Sequence, residues 1–241
     1  MAGRCWRVVE AQHVVSTLKI VDTLAEQAQL ERLLEDTKPP VPPDCTHLHY
    51  LLSTPFRYGA PYPRGSRFRR AGLTQGVFYA SQSVTTAIAE MTFARLLFFA
   101  ESPDTPWPAN PIEHTAFQVR FRTATAIDLT AAPFDRDRAQ WTHPTDYDRC
   151  QSLAEAAREA NVQAIRYRSA REDGGTNIAL LACAAFGARD PLDRQTWRLH
   201  LDGVGVRAIS EFPRQRLEFG RASFTRDPRI ASLRWDRAEP D

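Results

Sequence analysis

Polar and apolar side chains alternate along several short stretches of the chain, and this alternation predicts β-strands. It is clearest where Phe117, Val119 and Phe121 occupy every second position, as expected for a half-buried strand. A near-continuous apolar run at 177–186 predicts a strand buried on both faces. The predicted strands are 6–15, 76–80, 115–122, 126–129, 162–168, 177–186, 197–201 and 204–209, the last two forming a hairpin around an Asp-Gly turn.

Three other segments carry apolar residues at helical spacing. The pair Thr23 and Glu26 forms a capping-box pattern before the first segment. This helix must end near Lys38, because a run of prolines follows and proline cannot continue a helix. Ser83 is a candidate N-cap for a second helix, and a third is predicted at 146–160.

The rest of the chain suggests one continuous unit. The segment 54–76 is dense in Arg, Pro and Gly, which predicts an ordered loop or short strands. There are no internal repeats and no low-complexity tracts. We therefore predict a single α+β domain over residues 1–241, with a core at about 50–210, a strand–helix extension at 1–49 and a frayed polar tail after Arg226.

Composition narrows the function classes. Hydrophobic residues make up 43% of the 241-residue chain, enough for a sizeable core, and the formal net charge is only +2. That balance argues against sequence-independent nucleic-acid binding and against attraction to a membrane surface. The N-terminus does not resemble a leader peptide, and the apolar run at 94–100 is too short to span a bilayer. A cytoplasmic location is expected.

The four cysteines and the histidines near Cys45 are candidates for a disulfide framework or a metal site. Cys45, His47 and His49 place three potential ligands within five residues, but a structural zinc site normally has a second ligand cluster, which is missing here. The cysteines are widely separated, and a domain of this size does not need a disulfide framework. We expect no metal, and we expect Cys183 to be a core residue.

Several common catalytic motifs are missing from the sequence. There is no Gly-x-Ser-x-Gly nucleophile elbow, no Gly-x-Gly-x-x-Gly after a strand and no P-loop. The sequence therefore disfavours an α/β-hydrolase, a Rossmann dehydrogenase and a nucleotide triphosphatase.

A set of separated motifs instead resembles the RES-domain family, named for its Arg, Glu and Ser residues. The most specific stretch is Gly-Val-Phe-Tyr-Ala-Ser from Gly76, followed on a predicted helix by Ala-x-x-Glu ending at Glu90. The other matching segments are 55–59, 65–70, 165–171 and 174–177. The similarity spans roughly residues 56–186, and the order of the motifs carries more weight than any one of them.

The resemblance implies a fold, an activity and a partner. It implies an ADP-ribosyltransferase-like core of mixed or antiparallel sheets with flanking helices. It implies an NAD⁺-degrading toxin that cleaves the nicotinamide–ribose bond by hydrolysis or phosphorolysis, with NAD⁺ as substrate and no separate cofactor. The partner implied is an Xre-type helix-turn-helix antitoxin, with no membrane or direct nucleic-acid contact. The sequence leaves open whether the chain forms a homo-oligomer.

The same resemblance assigns candidate site residues. Glu90 and Ser169 match the family's glutamate and serine, and both Arg57 and Arg67 occupy positions that match its arginine. The candidate catalytic residues are Glu90, Arg67 and Ser169. The candidate NAD⁺-binding residues are Arg57, Tyr58, Tyr79 and Asn177, with Arg57 and Arg67 expected at the diphosphate or nearby ribose and Tyr79 against the nicotinamide.

The chemistry of the reaction makes these residue types reasonable. Nicotinamide leaves as a neutral molecule, so the difficulty lies in the positive charge that develops on the ribose, as in glycosidase transition states. A carboxylate such as Glu90 stabilises that charge, more strongly in a desolvated site. Arginines grip a diphosphate through paired hydrogen bonds.

Two alternatives stay open at this stage. Within the enzyme class, the acceptor can be a protein, which would make the chain an ADP-ribosyltransferase. From a different class, the chain can be a catalytically silent binding module of the same fold, although such a module would have no reason to keep Arg57, Arg67, Tyr79 and Glu90 together.

Overall fold

The structure is a computed structural model, and it describes residues 1–11, 20–57, 65–72 and 75–237. The helices are α1 (Leu24–Asp36), α2 (Tyr50–Arg57), α3 (Val84–Glu101), α4 (Arg138–Trp141), α5 (Asp148–Glu159) and α6 (Pro228–Ala231), with short 3₁₀ turns at Pro43–Cys45, Phe134–Asp137 and Cys183–Ala185. The strands are β1 (Ala2–Glu10), β2 (Phe78–Ser81), β3 (Ile112–Arg122), β4 (Ala126–Asp128), β5 (Ala164–Arg168), β6 (Thr176–Leu180), β7 (Asp193–Asp202), β8 (Gly205–Glu211) and β9 (Arg214–Gly220). The predicted α+β class is confirmed.

The strands form one mixed sheet in the order β4-β5-β6-β2-β1-β3-β7-β8-β9. Strands β4 and β5 run parallel, and the other neighbouring pairs are antiparallel. Strand β1, which the sequence placed in an N-terminal extension, lies in the middle of this sheet. It pairs with β3 along its whole length, from Ala2 opposite Arg122 to Glu10 opposite His114.

The sheet opens between β2 and β1, which are neighbours in its middle. β1 and β2 are paired at one position only, Trp6 opposite Ser81, whereas β2 continues along β6 through four paired positions. Ser81 is the last residue of β2, and the rest of the strand, 78–80, is not paired with β1. Side chains can therefore enter the gap between the two strands. The candidate site described below lies at this gap.

Helix α3 packs against the sheet next to the gap. Ser83 caps its N-terminus by accepting a hydrogen bond from the backbone N–H of Thr86, which confirms the predicted start. Ile88, Phe93 and Leu96 of this helix are buried in the same apolar cluster as Trp6 and other residues of β1, β3, β7 and β8. None of the helices among the described residues is long and apolar enough to cross a membrane.

The predicted first helix is confirmed as α1, with both hydrogen bonds of the Thr23–Glu26 capping box present. The segment 54–76 differs from its prediction at its start, where α2 continues to Arg57 despite Pro55. The helix is stabilised there by burial of Leu52 and Phe56, one turn apart. Just before β2 the chain passes close to this helix, and glycine is required at Gly76, because a Cβ there would lie 1.9 Å from the Pro55 carbonyl oxygen.

Other predictions were wrong at the ends of elements. The apolar run at 177–186 leaves the sheet after Leu180 and turns into a 3₁₀ helix, since periodicity alone cannot tell a buried strand from another buried conformation. Strand β9 was not predicted at all. The tail after Arg226, predicted to fray, forms α6, and its Ile230 and Leu233 are buried; residues 238–241 lie outside the described residues.

Two of the four cysteines form a disulfide, although a domain of this size does not need a disulfide framework. Cys45 and Cys183 are joined in a disulfide between two 3₁₀ turns, and both are buried in a cluster with Leu52 and Phe78. A pairing across 138 residues leaves no local signal in the sequence. Cys5 and Cys150 are free and buried.

Candidate active site

A cavity of about 380 Å³ opens where β1 and β2 diverge. Its wall is formed by residues of β1, β2, α3, β5 and β6, together with residues 66–67, Tyr147 and Arg171. Of the predicted site residues, Arg67, Tyr79, Glu90 and Asn177 line it directly. This size is at the lower end of the range typical of small-molecule sites, about 300–1,000 Å³.

Glu90 is held by two hydrogen-bond donors. Glu90 lies in the second turn of α3 and lines the cavity. The Ser169 hydroxyl donates to its Oε1 at 2.7 Å, and the Asn177 side-chain amide donates to the same oxygen at 2.6 Å. Oε2 accepts no hydrogen bond from the described residues. The carboxylate is thus fixed through one oxygen and open through the other.

The Ser169 hydroxyl is directed by its own loop. Its oxygen accepts from the backbone N–H groups of Arg171 at 3.0 Å and Glu172 at 3.1 Å. A hydroxyl has two lone pairs and one proton, so with two donors on its oxygen the proton points to Glu90. Gly175 lets the loop close, because a Cβ there would lie 2.8 Å from Oε2 of Glu172 and 3.1 Å from Cβ of Ser169.

Asn177 is oriented from the other side. It lies on β6 directly opposite Ser81 of β2, and the buried Ser81 hydroxyl donates to its Oδ1 at 2.7 Å. The Glu90 carboxylate can only accept, so the NH₂ end of the amide faces Glu90 and the Oδ1 end accepts from Ser81. Strands β2 and β6 therefore orient the Asn177 amide, which is the donor, and α3 positions the Glu90 carboxylate, which is the acceptor.

Tyr79 presents a fixed ring to the cavity. Its hydroxyl shares a 2.9 Å hydrogen bond with Ser66 and accepts another at 2.9 Å from the backbone N–H of Phe68. Burial raises the pKa of the Tyr79 phenol above its usual value, so the ring stays neutral. Since the hydroxyl is occupied, the ring rather than the oxygen is available to a ligand.

Arg67 is buried and binds the loop that follows α4. Its guanidinium donates to the carbonyl oxygens of Trp141 at 2.7 Å and His143 at 3.0 Å. The same group lies 4.8 Å from the centre of the Tyr147 ring, an arrangement favourable for a cation over an aromatic face. Arg67 thus joins the cavity wall to a ring that the sequence did not single out.

Arg7 of β1 was missed by the sequence reasoning. It lines the cavity and crosses the gap between the strands, donating to the Tyr79 carbonyl oxygen at 2.8 Å. Its Nε is buried without a hydrogen-bond partner, and the described residues offer it no carboxylate. Burial lowers the pKa of Arg7 to about 10, so it is still a cation at neutral pH. The sequence did contain a signal for this residue, since Arg7 is a charged residue within the otherwise apolar stretch Trp-Arg-Val-Val.

Arg171, Tyr147 and Tyr167 were missed as well. All three line the cavity, although the sequence treated their segments as a turn, a helix start and a strand. Burial, reinforced by the charge of Glu90, raises the pKa of Tyr167 well above its usual value. The cavity therefore combines one open carboxylate with three arginines and three tyrosine rings.

The structure does not bring Arg57 to this cavity. Arg57 ends α2, where it forms a 2.5 Å ion pair with Glu35 and a hydrogen bond with the Pro39 carbonyl. Tyr58, the neighbouring candidate, lies outside the described residues. The predicted role of both residues in NAD⁺ binding stays a prediction.

The cysteine–histidine cluster offers little to a metal. Cys45 is bonded to Cys183, and His47 is exposed. Both ring nitrogens of His49 are engaged, Nδ1 with the Leu51 N–H and Nε2 with Arg194.

Comparison with known proteins identifies the region that contains most of these residues. The family model described as RES domain matches residues 41–202, well over half of the chain; β1 and α6 lie outside the match. No curated protein matches the sequence. Among solved structures, the "Crystal structure of the M.tuberculosis MbcT-MbcA toxin-antitoxin complex" is similar at a TM-score of 0.45 and 12% identity, over 97% of this chain and 89% of that one. At that level no residue role is transferred.

Proposed function

This chain belongs to the RES-domain family, and on that premise we propose that it cleaves the nicotinamide–ribose bond of NAD⁺ by hydrolysis or phosphorolysis. One observation carries the proposal. The Glu90 carboxylate is fixed through Oε1 by Ser169 and Asn177, and its Oε2 is left open in a cavity that arginines and tyrosines line.

Glu90 acts on the charge that develops during bond breaking. As the bond between C1′ and the nicotinamide nitrogen breaks, its electron pair goes to nitrogen, and the ribose acquires positive charge. A carboxylate that is already oriented stabilises this charge without reorganising. Oε2 is the oxygen available to the ribose, either as an acceptor for a hydroxyl or as a facing negative charge.

The arginines supply binding and orientation. Arg7 and Arg67 line the cavity, and guanidinium groups suit a diphosphate because they donate paired hydrogen bonds. Arg171 lines it too, but its charge is already paired with Asp227. Holding the non-reacting half of NAD⁺ fixes C1′ relative to Glu90 and the acceptor. The Tyr79 ring, whose hydroxyl is already bonded, provides an aromatic face for the cationic nicotinamide.

The acceptor completes the reaction at C1′. With water, a C1′–O bond forms, a proton is released and the product is ADP-ribose. With phosphate, the product is ADP-ribose 1″-phosphate. In both cases nicotinamide leaves as a neutral molecule and nothing is oxidised or reduced.

We further propose that the chain is the toxin of a toxin–antitoxin pair, held inactive by an Xre-type antitoxin. An enzyme that consumes NAD⁺ without restraint would kill the cell that makes it. The cavity is lined by the cationic side chains of Arg7 and Arg67, which favour an inserted carboxylate or chain terminus as the blocking group.

The test is direct. Purified protein is incubated with NAD⁺ in phosphate-free buffer and in phosphate buffer, and the products are identified by mass spectrometry. Free nicotinamide with ADP-ribose, or with its 1″-phosphate, is the expected result. Glu90→Gln should slow product formation about 10²-fold, while Glu101→Gln, which changes an exposed carboxylate on the same helix, should not slow it. No nicotinamide release in either buffer contradicts the proposal, and a mass increase on an added protein would assign transfer to protein.

A further inference from the structure

The loop that carries Ser169 is tied to the C-terminal segment by a buried ion pair. Arg171 donates from Nη1 to Oδ2 of Asp227 at 3.1 Å, and the two side chains are only 5% and 0% exposed. Asp227 lies beyond residues 41–202, which the family model matches. This segment therefore contacts the candidate site from outside the region that defines the family.

Asp227 is itself rigidly placed. Its Oδ1 accepts from the backbone N–H of Arg229 at 3.0 Å and so caps α6, and its Oδ2 accepts from the Arg229 guanidinium at 2.7 Å. Ile230 and Leu233, just beyond it, are buried in the apolar cluster that contains Phe93 of α3. A carboxylate anchored in this way is a fixed point for Arg171.

Arg171 connects Asp227 to Ser169, through its side chain on one side and its backbone N–H on the other. Its guanidinium lies 3.4 Å from the centre of the Phe93 ring and donates to the Pro144 carbonyl at 3.1 Å. Its backbone N–H is one of the two donors that direct the Ser169 hydroxyl toward Glu90. The contacts form one series: Asp227 holds Arg171, the Arg171 backbone orients Ser169, and Ser169 orients Glu90.

We propose that Asp227 is a positioning residue for Glu90, acting through Arg171 and the Ser169 hydroxyl. The inference rests on the proposed function, since it assigns a role in that same site. If Asp227 loses its charge, Arg171 is a buried cation without its carboxylate. The loop then loosens, Ser169 loses its backbone donors, and Glu90 loses one of the two bonds that fix Oε1.

The first measurement separates kcat from KM for NAD⁺ consumption. Asp227→Asn should lower kcat about tenfold, because a small misplacement of a reacting group is costly, and should leave KM nearly unchanged. The matched control is Asp236→Asn, which removes an exposed acid of the same segment; among the described residues its carboxylate is paired only with Arg221, at 3.4 Å. This variant should leave both constants unchanged. Asp227→Glu, which keeps the charge, should recover part of the loss.

The second measurement is a double-mutant cycle with Ser169→Ala. If Asp227 acts through the serine, adding Asp227→Asn to Ser169→Ala should cause little further loss of kcat, because coupled residues are not additive. An undiminished tenfold loss in both backgrounds overturns the proposal. Should Asp227→Asn not fold, Arg171→Met enters the same cycle; it keeps an apolar stem on Phe93 and leaves Asp227 paired with Arg229.

Amide hydrogen exchange tests the inference without the reaction. In Asp227→Asn the Arg171 and Glu172 amides, which donate to Ser169, should exchange faster than in the wild type, and in Asp236→Asn they should not. Unchanged exchange overturns the positioning role even if NAD⁺ is cleaved. Wild-type protein that cleaves no NAD⁺, with faster exchange in Asp227→Asn, rejects the proposed function and leaves the positioning intact.

Discussion

Ser169 donates a 2.7 Å hydrogen bond to Oε1 of Glu90, although 79 residues separate them in the chain. The serine oxygen has two backbone donors of its own, so its proton has no other direction to take. The pair links a loop at one end of β5 to the middle of α3. It thereby gives the site an open carboxylate of defined orientation.

We expect Glu90→Gln to lower kcat by about 10²-fold, the cost of removing one strong electrostatic stabiliser, with little change in KM. The substitution keeps the size and one acceptor oxygen but removes the charge, which matters mainly in the transition state. Steady-state kinetics with NAD⁺ is the measurement, and thermal melting is the control for folding. A folded Glu90→Gln protein with near-normal turnover removes this residue from the mechanism.

The features of this site that depend on residues close in sequence were predictable, whereas the contacts between residues far apart in sequence were not. Ser83 as a cap and Glu90 on the helix after β2 follow from short motifs, because capping and helical periodicity are local. The convergence of Ser169 and Asn177 on Glu90 came only from the resemblance. Nothing in the sequence indicated that both would donate to the same oxygen.

The arginines show most clearly which site residues could not be predicted from the sequence. Arg57 precedes a tyrosine and a glycine in a segment that resembles the family, yet α2 directs it to Glu35. Arg7 is in the cavity because β1 lies beside β2 in the sheet. Strand order depends on which buried faces pack together, and no spacing within the chain reveals it.

The cysteines give a prediction that tests the fold independently of function. Protein prepared without reductant and then denatured should contain two titratable thiols, Cys5 and Cys150, and four after reduction; a Cys45–Cys183 linked peptide should be found by mass spectrometry. In the native state Cys5 should resist alkylation near pH 8, because burial raises its pKa to about 12 and little thiolate forms. Four thiols in the denatured, unreduced protein contradict the disulfide.

Expression without a partner should arrest growth and drain cellular NAD⁺. The reason is the proposed activity, since NAD⁺ is consumed as a substrate and not regenerated. Induced cells are followed by optical density and by an enzymatic NAD⁺ assay, with Glu90→Gln as the inactive control. Growth arrest at a constant NAD⁺ level would mean that the chain acts on another target.

The product of a neighbouring gene should bind this chain and stop NAD⁺ consumption. If the blocking group is an inserted carboxylate or chain terminus, its affinity should fall as salt rises and on substitution of Arg67, which lines the cavity. Calorimetry of the purified pair, with activity measured in parallel, tests both points. High-level production of the active chain in living cells with no inhibitor present contradicts the need for such a partner.

The sharpest test of the site compares Arg7 with Arg57. Arg7→Met should raise KM for NAD⁺ about tenfold or more, because losing a hydrogen bond to a charged group costs about 1.5–3 kcal/mol. Arg7 lines the cavity, and its Nε has no hydrogen-bond partner among the described residues. Arg57→Met should leave KM unchanged, since Arg57 is bonded to Glu35 and Pro39 instead. Both variants are compared by steady-state kinetics after their melting temperatures have been measured, because each removes a partly buried cation. A KM that rises for Arg57→Met and not for Arg7→Met would favour the assignment from sequence over the one from structure, and would move the diphosphate away from the gap between β1 and β2.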